Sequence, residues 1–316
     1  MNVEAESPVE TIMRDELAHG DAVLGSLAPI LGHLVATEAN VLFNDQVVAT
    51  IRGRAMDVAG QLLREQASAA GEEDVEAFVA VGAESLAADL LGEQDFLLHC
   101  HALTIEAQTA RHLQKRSGID PVVSPMLQSL IASKDAGIAG GAMAILASQA
   151  RFFQQHERME LPVRELPGSI FDVVLMRWRS FAGPGTETVT AQAEMTLRST
   201  FDEGAGRIGL LSRMVHALGR DARAALSVGH GGLSLFASTL ASATEQSRDI
   251  ALLATTEQQL GRLALSLRAA GFDHREVEEQ FQYLHPDVAL PEGFETLRID
   301  RAAAMLVAGG DYPEAN

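Results

Sequence analysis

His99, Cys100 and His101 are the densest cluster of metal-ligating residue types in the chain. Zinc ligands on one helix must lie three or four residues apart to share a face. Residues two apart diverge by about 200° at 3.6 residues per turn. The flanking Phe96-Leu97-Leu98 and Ala102-Leu103 read as helix, so His99 and His101 are expected to face apart and to hold no metal together. Cys100 then reads as a core side chain, since an apolar run disfavours the thiolate that nucleophilic chemistry needs. His216, His230, His274 and His285 are scattered, without a paired carboxylate motif. His274 follows Asp273 at an expected helix start, where capping explains the polarity.

Gly229-His230-Gly231-Gly232 could bring a helix N-terminus to a phosphate. It lacks the preceding strand and the lysine of a P-loop, and a tight turn between helices is the plainer reading. No Gly-x-Ser-x-Gly elbow stands in a strand–helix context. Glu278 and Glu279 are neighbours that point apart on a helix and form a solvated face. No catalytic, cofactor-binding or metal-binding residue is expected. Arg177-Trp178-Arg179 is the one candidate for partner binding, because Trp and Arg are enriched at interface hot spots. The competing reading is a core tryptophan between two exposed arginines.

Helical spacing runs through almost the whole chain. Leu24, Leu27, Leu31 and Leu34 line one helix face, with Asp21 as its expected N-cap. A second helix is expected from Asn44 or Asp45, burying Val48, Ile51, Met56, Leu62 and Leu63 and ending at a left-handed Gly71. A third is expected over 72–91, with Val75, Phe78, Val79, Leu86 and Leu90 inward and an acidic start that suits the helix dipole.

The chain also echoes itself. Gly140-Gly141-Ala142-Met143-Ala144-Ile145-Leu146-Ala147-Ser148 parallels Gly231-Gly232-Leu233-Ser234-Leu235-Phe236-Ala237-Ser238-Thr239, and each is followed by a basic helix end, a glycine and another helix. A fainter copy ends in Gln114-Lys115-Arg116-Ser117-Gly118-Ile119-Asp120, where Pro121 is expected to open the next helix. The basic residues suit the negative end of a helix dipole. The expected fold is therefore all-α: a HEAT-like helical repeat, or α-solenoid, of about three degenerate repeats.

Asp221-Ala222-Arg223-Ala224-Ala225-Leu226, the stretch from Gly232 to Ala241 and Leu263-Ala264-Leu265-Ser266-Leu267-Arg268-Ala269-Ala270-Gly271 resemble a bacterial helical family, the domain of unknown function 2336. The likeness covers mainly 205–285. It implies a HEAT-like helical fold and transfers no activity, cofactor or catalytic residue.

Three stretches interrupt the helices. Residues 157–168 carry Pro162 and Pro167, and are read either as a recognition loop or as a buried connector plugged by Leu161 and Leu166. The second is Ala182-Gly183-Pro184-Gly185. The third, Asp202 to Gly206, is taken as the domain boundary, giving N-terminal repeats over 1–203 and a C-terminal repeat domain over 204–316.

The composition narrows the function. Of 316 residues, 47% are apolar, too many for a disordered chain. Lys and Arg number 24 against 43 Asp and Glu, a net charge of −19 that argues against nucleic acid. The lysines are Lys115 and Lys134 alone, so the basic chemistry is arginine chemistry, suited to planar, bidentate contacts. One cysteine excludes an internal disulfide framework. No membrane span is expected: the best apolar run, 138–153, holds Ser148, Gln149 and Arg151. The acidic start, Met1 to Glu6, lacks the basic and apolar regions of a secretory signal, so a cytoplasmic location is expected. The sequence favours a non-catalytic protein–protein interaction module, a regulatory adaptor with a protein partner, a basic surface being favoured by the charge. The alternative is an enzyme or small-ligand sensor with a pocket between stacked helices.

Overall fold

Gly71, Gly118, Gly183 and Gly271 take φ of 71°, 69°, 72° and 96°, each at the end of a helix, where a residue without Cβ enters left-handed backbone at no steric cost. They punctuate a computed structural model that describes residues 7–36 and 45–309. Among the described residues all regular structure is helical: α1 Pro8–Ala36, α2 Asp45–Ala70, α3 Val75–Leu91, α4 Gln94–Ser117, α5 Pro125–Ile131, α6 Ala136–Glu157, α7 Gly168–Ala182, α8 Glu187–Thr200, α9 Arg207–Leu218, α10 Val228–Thr244, α11 Arg248–Leu253, α12 Leu260–Ala269, α13 His274–Leu284 and α14 Ile299–Gly309, with short 3-10 turns between some of them. None of these helices is long and apolar enough to cross a membrane. Met1 to Glu6, Asn44 and the side chain of Leu34 lie outside the description.

The helices divide into two compact units assembled from separated segments: a first of 1–27, 108–142 and 214–316, and a second of 28–107 and 143–213. The Asp202–Gly206 break, expected as a boundary, is a 3-10 turn inside the second unit. In the first unit α10 is buried on nearly all sides, from Gly231 to Ala241, as an all-round apolar helix must be. It packs against α5, α11, α12 and α13, and α12 in turn against α14. In the second unit α2 packs on α3 and α8, and α7 lies against α3 and α8. Ile51, Val58, Leu62, Leu86, Leu90, Val174, Leu175 and Trp178 form its core.

Local chemistry explains where the expected elements shifted. Asp21 does not start a helix. The start lies earlier, at a capping box in which Ser7 Oγ accepts from the Glu10 amide and Glu10 accepts from the Ser7 amide, with Pro8 in first position. Pro121 does not open a helix either. The Asp120 carboxylate holds the amides of Val122 and Val123 in a turn, and Ser124 caps α5 ahead of Pro125. Met56 faces outward, 41% exposed. Asp74 and Asp273 cap α3 and α13, the latter with Glu276 in a full capping box.

The two glycine pairs that head the sequence echo differ in backbone. Gly140 and Gly141 lie within α6, whereas Gly232 breaks α10 with φ 70° and ψ 165°. A Cβ on Gly231 would collide with the Ala225 carbonyl, and one on Gly232 would lie 3.0 Å from the Ser124 Cβ. Close approach of the Ala225 backbone at Gly231 and a left-handed φ at Gly232 call for the second pair, and neither applies to Gly140 and Gly141 in α6.

Candidate functional site

The second unit buries two arginines in its core. Arg54 interrupts the apolar stripe of α2 between Ile51, Val58 and Leu62, and is 1% exposed. Glu106 stands in the same way on α4, between Leu103 and Ala110, with no exposure. Arg207, the first residue of α9, is 4% exposed. Its guanidinium donates to both Glu106 oxygens at 2.8 Å and to Gln149 at 3.0 Å, and lies 3.8 Å from the Phe152 ring centre. Carboxylate, amide and aromatic face together replace the water it has lost.

Arg54 is held differently. It donates to the Cys100 carbonyl at 2.8 Å, Thr104 Oγ1 at 2.9 Å and His156 Nδ1 at 3.0 Å. A guanidinium only donates, so Nδ1 accepts and the His156 ring proton sits on Nε2. None of these partners is a carboxylate. Burial pushes the Arg54 pKa down to about 10, so the group remains cationic at neutral pH.

Both arginines line a cavity of about 20 Å³ with Ser148, Phe152, Gln155 and Glu165. A single water needs roughly 10–15 Å³ measured in this way, and metabolite pockets run to hundreds. This cavity admits one water-sized particle. Beside it runs the stretch after α6, which is the buried connector: Leu161, Val163 and Leu166 are all in the core. Asp57 accepts from the Leu161 amide at 2.8 Å. Gln61 donates to the Leu161 carbonyl at 3.0 Å and accepts from the Val163 amide at 2.9 Å. Glu165 accepts from the Arg207 amide at 2.7 Å.

A larger cavity, about 260 Å³, lies between α1 and α14 in the first unit, walled mainly by Leu17, Ala18, Ala304, Met305 and Ala308. Two of the charged residues on its lining are engaged elsewhere: Arg301 donates to Glu10, and Asp21 receives Arg262.

The expected partner-binding trio splits. Trp178 is fully buried and donates from Nε1 to Gln66 at 2.9 Å, so it is a core residue and offers no surface to a partner. Arg177 and Arg179 are exposed and paired with Glu93 and Glu194. The apolar groups on that surface are ones the sequence reading passed over: Met176, 52% exposed, and Met195, 69% exposed. On α7, Asp172, Met176 and Arg179 follow at helical spacing. Asp172 reaches Arg198 of α8 at 2.7 Å, and Arg179 reaches Glu194 of α8 at 3.1 Å. Met195 stands next to Glu194. The two ion pairs join α7 to α8, and each helix carries one exposed methionine.

His99 and His101 occupy α4; His99 is fully buried and His101 half-buried, its pKa lowered to about 4 by burial. Among the described residues no three His, Cys, Asp or Glu gather as metal ligands. His216 is exposed and His230 half-buried. His274 Nε2 lies 3.2 Å from Glu278, one turn along α13. His285 is buried, and its pKa is lowered by that burial. No protein-family model, curated protein or solved structure matches this chain.

Proposed function

We propose that this chain is a helical protein-binding module whose contact surface is the α7–α8 ridge of the second unit. The observation that carries the reading is the exposure of Met176 and Met195 on two helices held in register by the Arg198–Asp172 and Arg179–Glu194 pairs. Methionine fits such a role, since its unbranched, polarizable side chain adapts to irregular partners. Arg177 and Arg179 would form the polar rim, the role arginines commonly take around an apolar centre.

The recurrence of helix, left-handed glycine and helix at Gly118, Gly183 and Gly271 supports a chain of degenerate HEAT-like repeats, in keeping with the resemblance to the domain of unknown function 2336. The net charge of −19 supports an adaptor whose partner presents a basic face.

The test is binding of a partner recovered with the intact protein. Replacing Met176 and Met195 together with Glu should weaken binding at least tenfold while the circular dichroism spectrum stays helical. Unchanged affinity would remove the ridge from the account.

A further inference from the structure

Met56, Met143, Met176 and Met195 are exposed, whereas Met13, Met126, Met214 and Met305 lie in the core. Exposure opens a thioether to oxidants, and oxidation turns a flexible apolar side chain into a polar sulfoxide. Met176 and Met195 differ from the other two exposed methionines in what leans over them. A helical side chain tilts toward the helix N-terminus, so the residue three positions on covers the turn below it. For Met176 that residue is Arg179, and for Met195 it is Arg198. For Met56 it is Ala59 and for Met143 Leu146, with Gly60 and Ala147 one position further on. Arg198 Nε reaches Glu194, the residue before Met195, at 2.7 Å, which sets its guanidinium over that turn. Its Nη1 reaches Asp172 at 2.7 Å, and Arg179 Nε reaches Glu194 at 3.1 Å. The carboxylates flanking the two methionines are thus held by the same two arginines. A guanidinium has five N–H donors, and these pairs engage one on Arg179 and two on Arg198.

We propose that Met176 and Met195 are sites of reversible oxidation by peroxide, with Arg179 and Arg198 promoting the reaction and holding its product. The inference rests on the reading of α7 and α8 as the contact surface. The methionine sulfur attacks one oxygen of hydrogen peroxide. An S–O bond forms, the O–O bond breaks, and the sulfur gives up an electron pair. The proton on the transferred oxygen passes to the departing hydroxide, which leaves as water. Negative charge builds on that departing oxygen, where a guanidinium N–H stabilises it. The sulfoxide oxygen then accepts a hydrogen bond from the same guanidinium, one helical turn away. A dithiol-dependent sulfoxide reductase reverses the change, its thiols becoming a disulfide as the oxygen departs in water. Oxidation thus replaces the apolar centre of the surface with polar groups and releases a partner.

The experiment treats the intact protein with hydrogen peroxide and follows each methionine by peptide mass mapping. Met176 and Met143 are 52% and 51% exposed, so exposure alone predicts equal rates. Met176 should instead gain oxygen about threefold faster than Met143, and the core methionines should lag behind both. Arg179→Gln should slow Met176 to the Met143 rate, and Arg198→Gln should slow Met195, with the circular dichroism spectrum unchanged. Equal rates at Met143 and Met176, untouched by either replacement, overturn the proposal. Affinity for the recovered partner separates it from the reading beneath. Peroxide should weaken wild-type binding at least tenfold and leave a variant carrying Met176→Leu and Met195→Leu bound as before. If Met176→Glu with Met195→Glu weakens binding but peroxide does not, the oxidation inference fails alone. If neither weakens it, the contact-surface reading fails and the inference with it.

Discussion

Arg207 and Glu106 meet through two hydrogen bonds of 2.8 Å across 101 residues of sequence, with neither side chain more than 4% exposed. Such a pair earns little net stability, because desolvation consumes most of the attraction, but breaking it leaves a bare charge in the core. Glu106→Gln or Arg207→Met should each cost about 3–5 kcal/mol in urea unfolding. The double replacement should cost clearly less than the sum, since it removes both charges. Additive losses would show that the two side chains do not act as a pair.

Trp178, the only tryptophan, reports directly on its own burial. Native emission should be blue-shifted and resistant to acrylamide, then move red on unfolding. Trp178→Phe strips Gln66 Oε1 of its donor and should cost roughly 1–3 kcal/mol. Red-shifted, freely quenched native emission would place the ring at the surface and revive it as a partner contact.

His101 makes the fold sensitive to mild acid. Burial holds its folded pKa at about 4, against the ordinary 6.5 of an exposed histidine. The unfolded chain therefore takes up a proton between those values that the folded chain refuses. Its contribution is complete above pH 6.5 and is lost as pH falls toward 4. His101→Gln should flatten that part of the stability profile. An unchanged slope would assign the acid sensitivity to other groups.

The connector after α6 depends on Gln61, which satisfies two of its backbone groups. Gln61→Ala should leave the Leu161 carbonyl and the Val163 amide without these partners, at roughly 1–3 kcal/mol for each group left buried. Limited proteolysis should then cut between 158 and 166, where the wild type resists. Equal resistance would mean that Leu161 and Leu166 anchor the segment by packing alone.

What could be read from the sequence was what neighbours in sequence decide. The left-handed glycines at 71, 118, 183 and 271, the Asp273 cap and the connector, one of whose two readings was a buried one, each depend on a few adjacent residues; α3 starts later than expected, at Val75, because Asp74 caps it. Asp21 and Pro121 start no helix because stronger local signals, Ser7-Pro8-Val9-Glu10 and Ser124-Pro125, set the starts of α1 and α5. Gly232 was opaque for a different reason: its positive φ breaks the helix, and the space for a Cβ there is taken by Ser124, more than a hundred residues away. The arginine core was equally long-range. Its signal was nevertheless present, as a charge at 54 between Ile51 and Val58 and another at 106 between Leu103 and Ala110, both on faces otherwise apolar. The methionine ridge left no such mark, because an exposed apolar residue at helical spacing looks like a buried one.

The central claim, that the α7–α8 ridge binds a protein, is tested most directly by placing a photo-crosslinking residue at 176, at 195 and, as a control, at 278 on the exposed face of α13. The account predicts that 176 and 195 capture the same protein from native extract, that 278 does not, and that the captured protein binds purified wild-type chain at least tenfold more tightly than Met195→Glu. Capture from all three positions alike, or from neither ridge position, would contradict it.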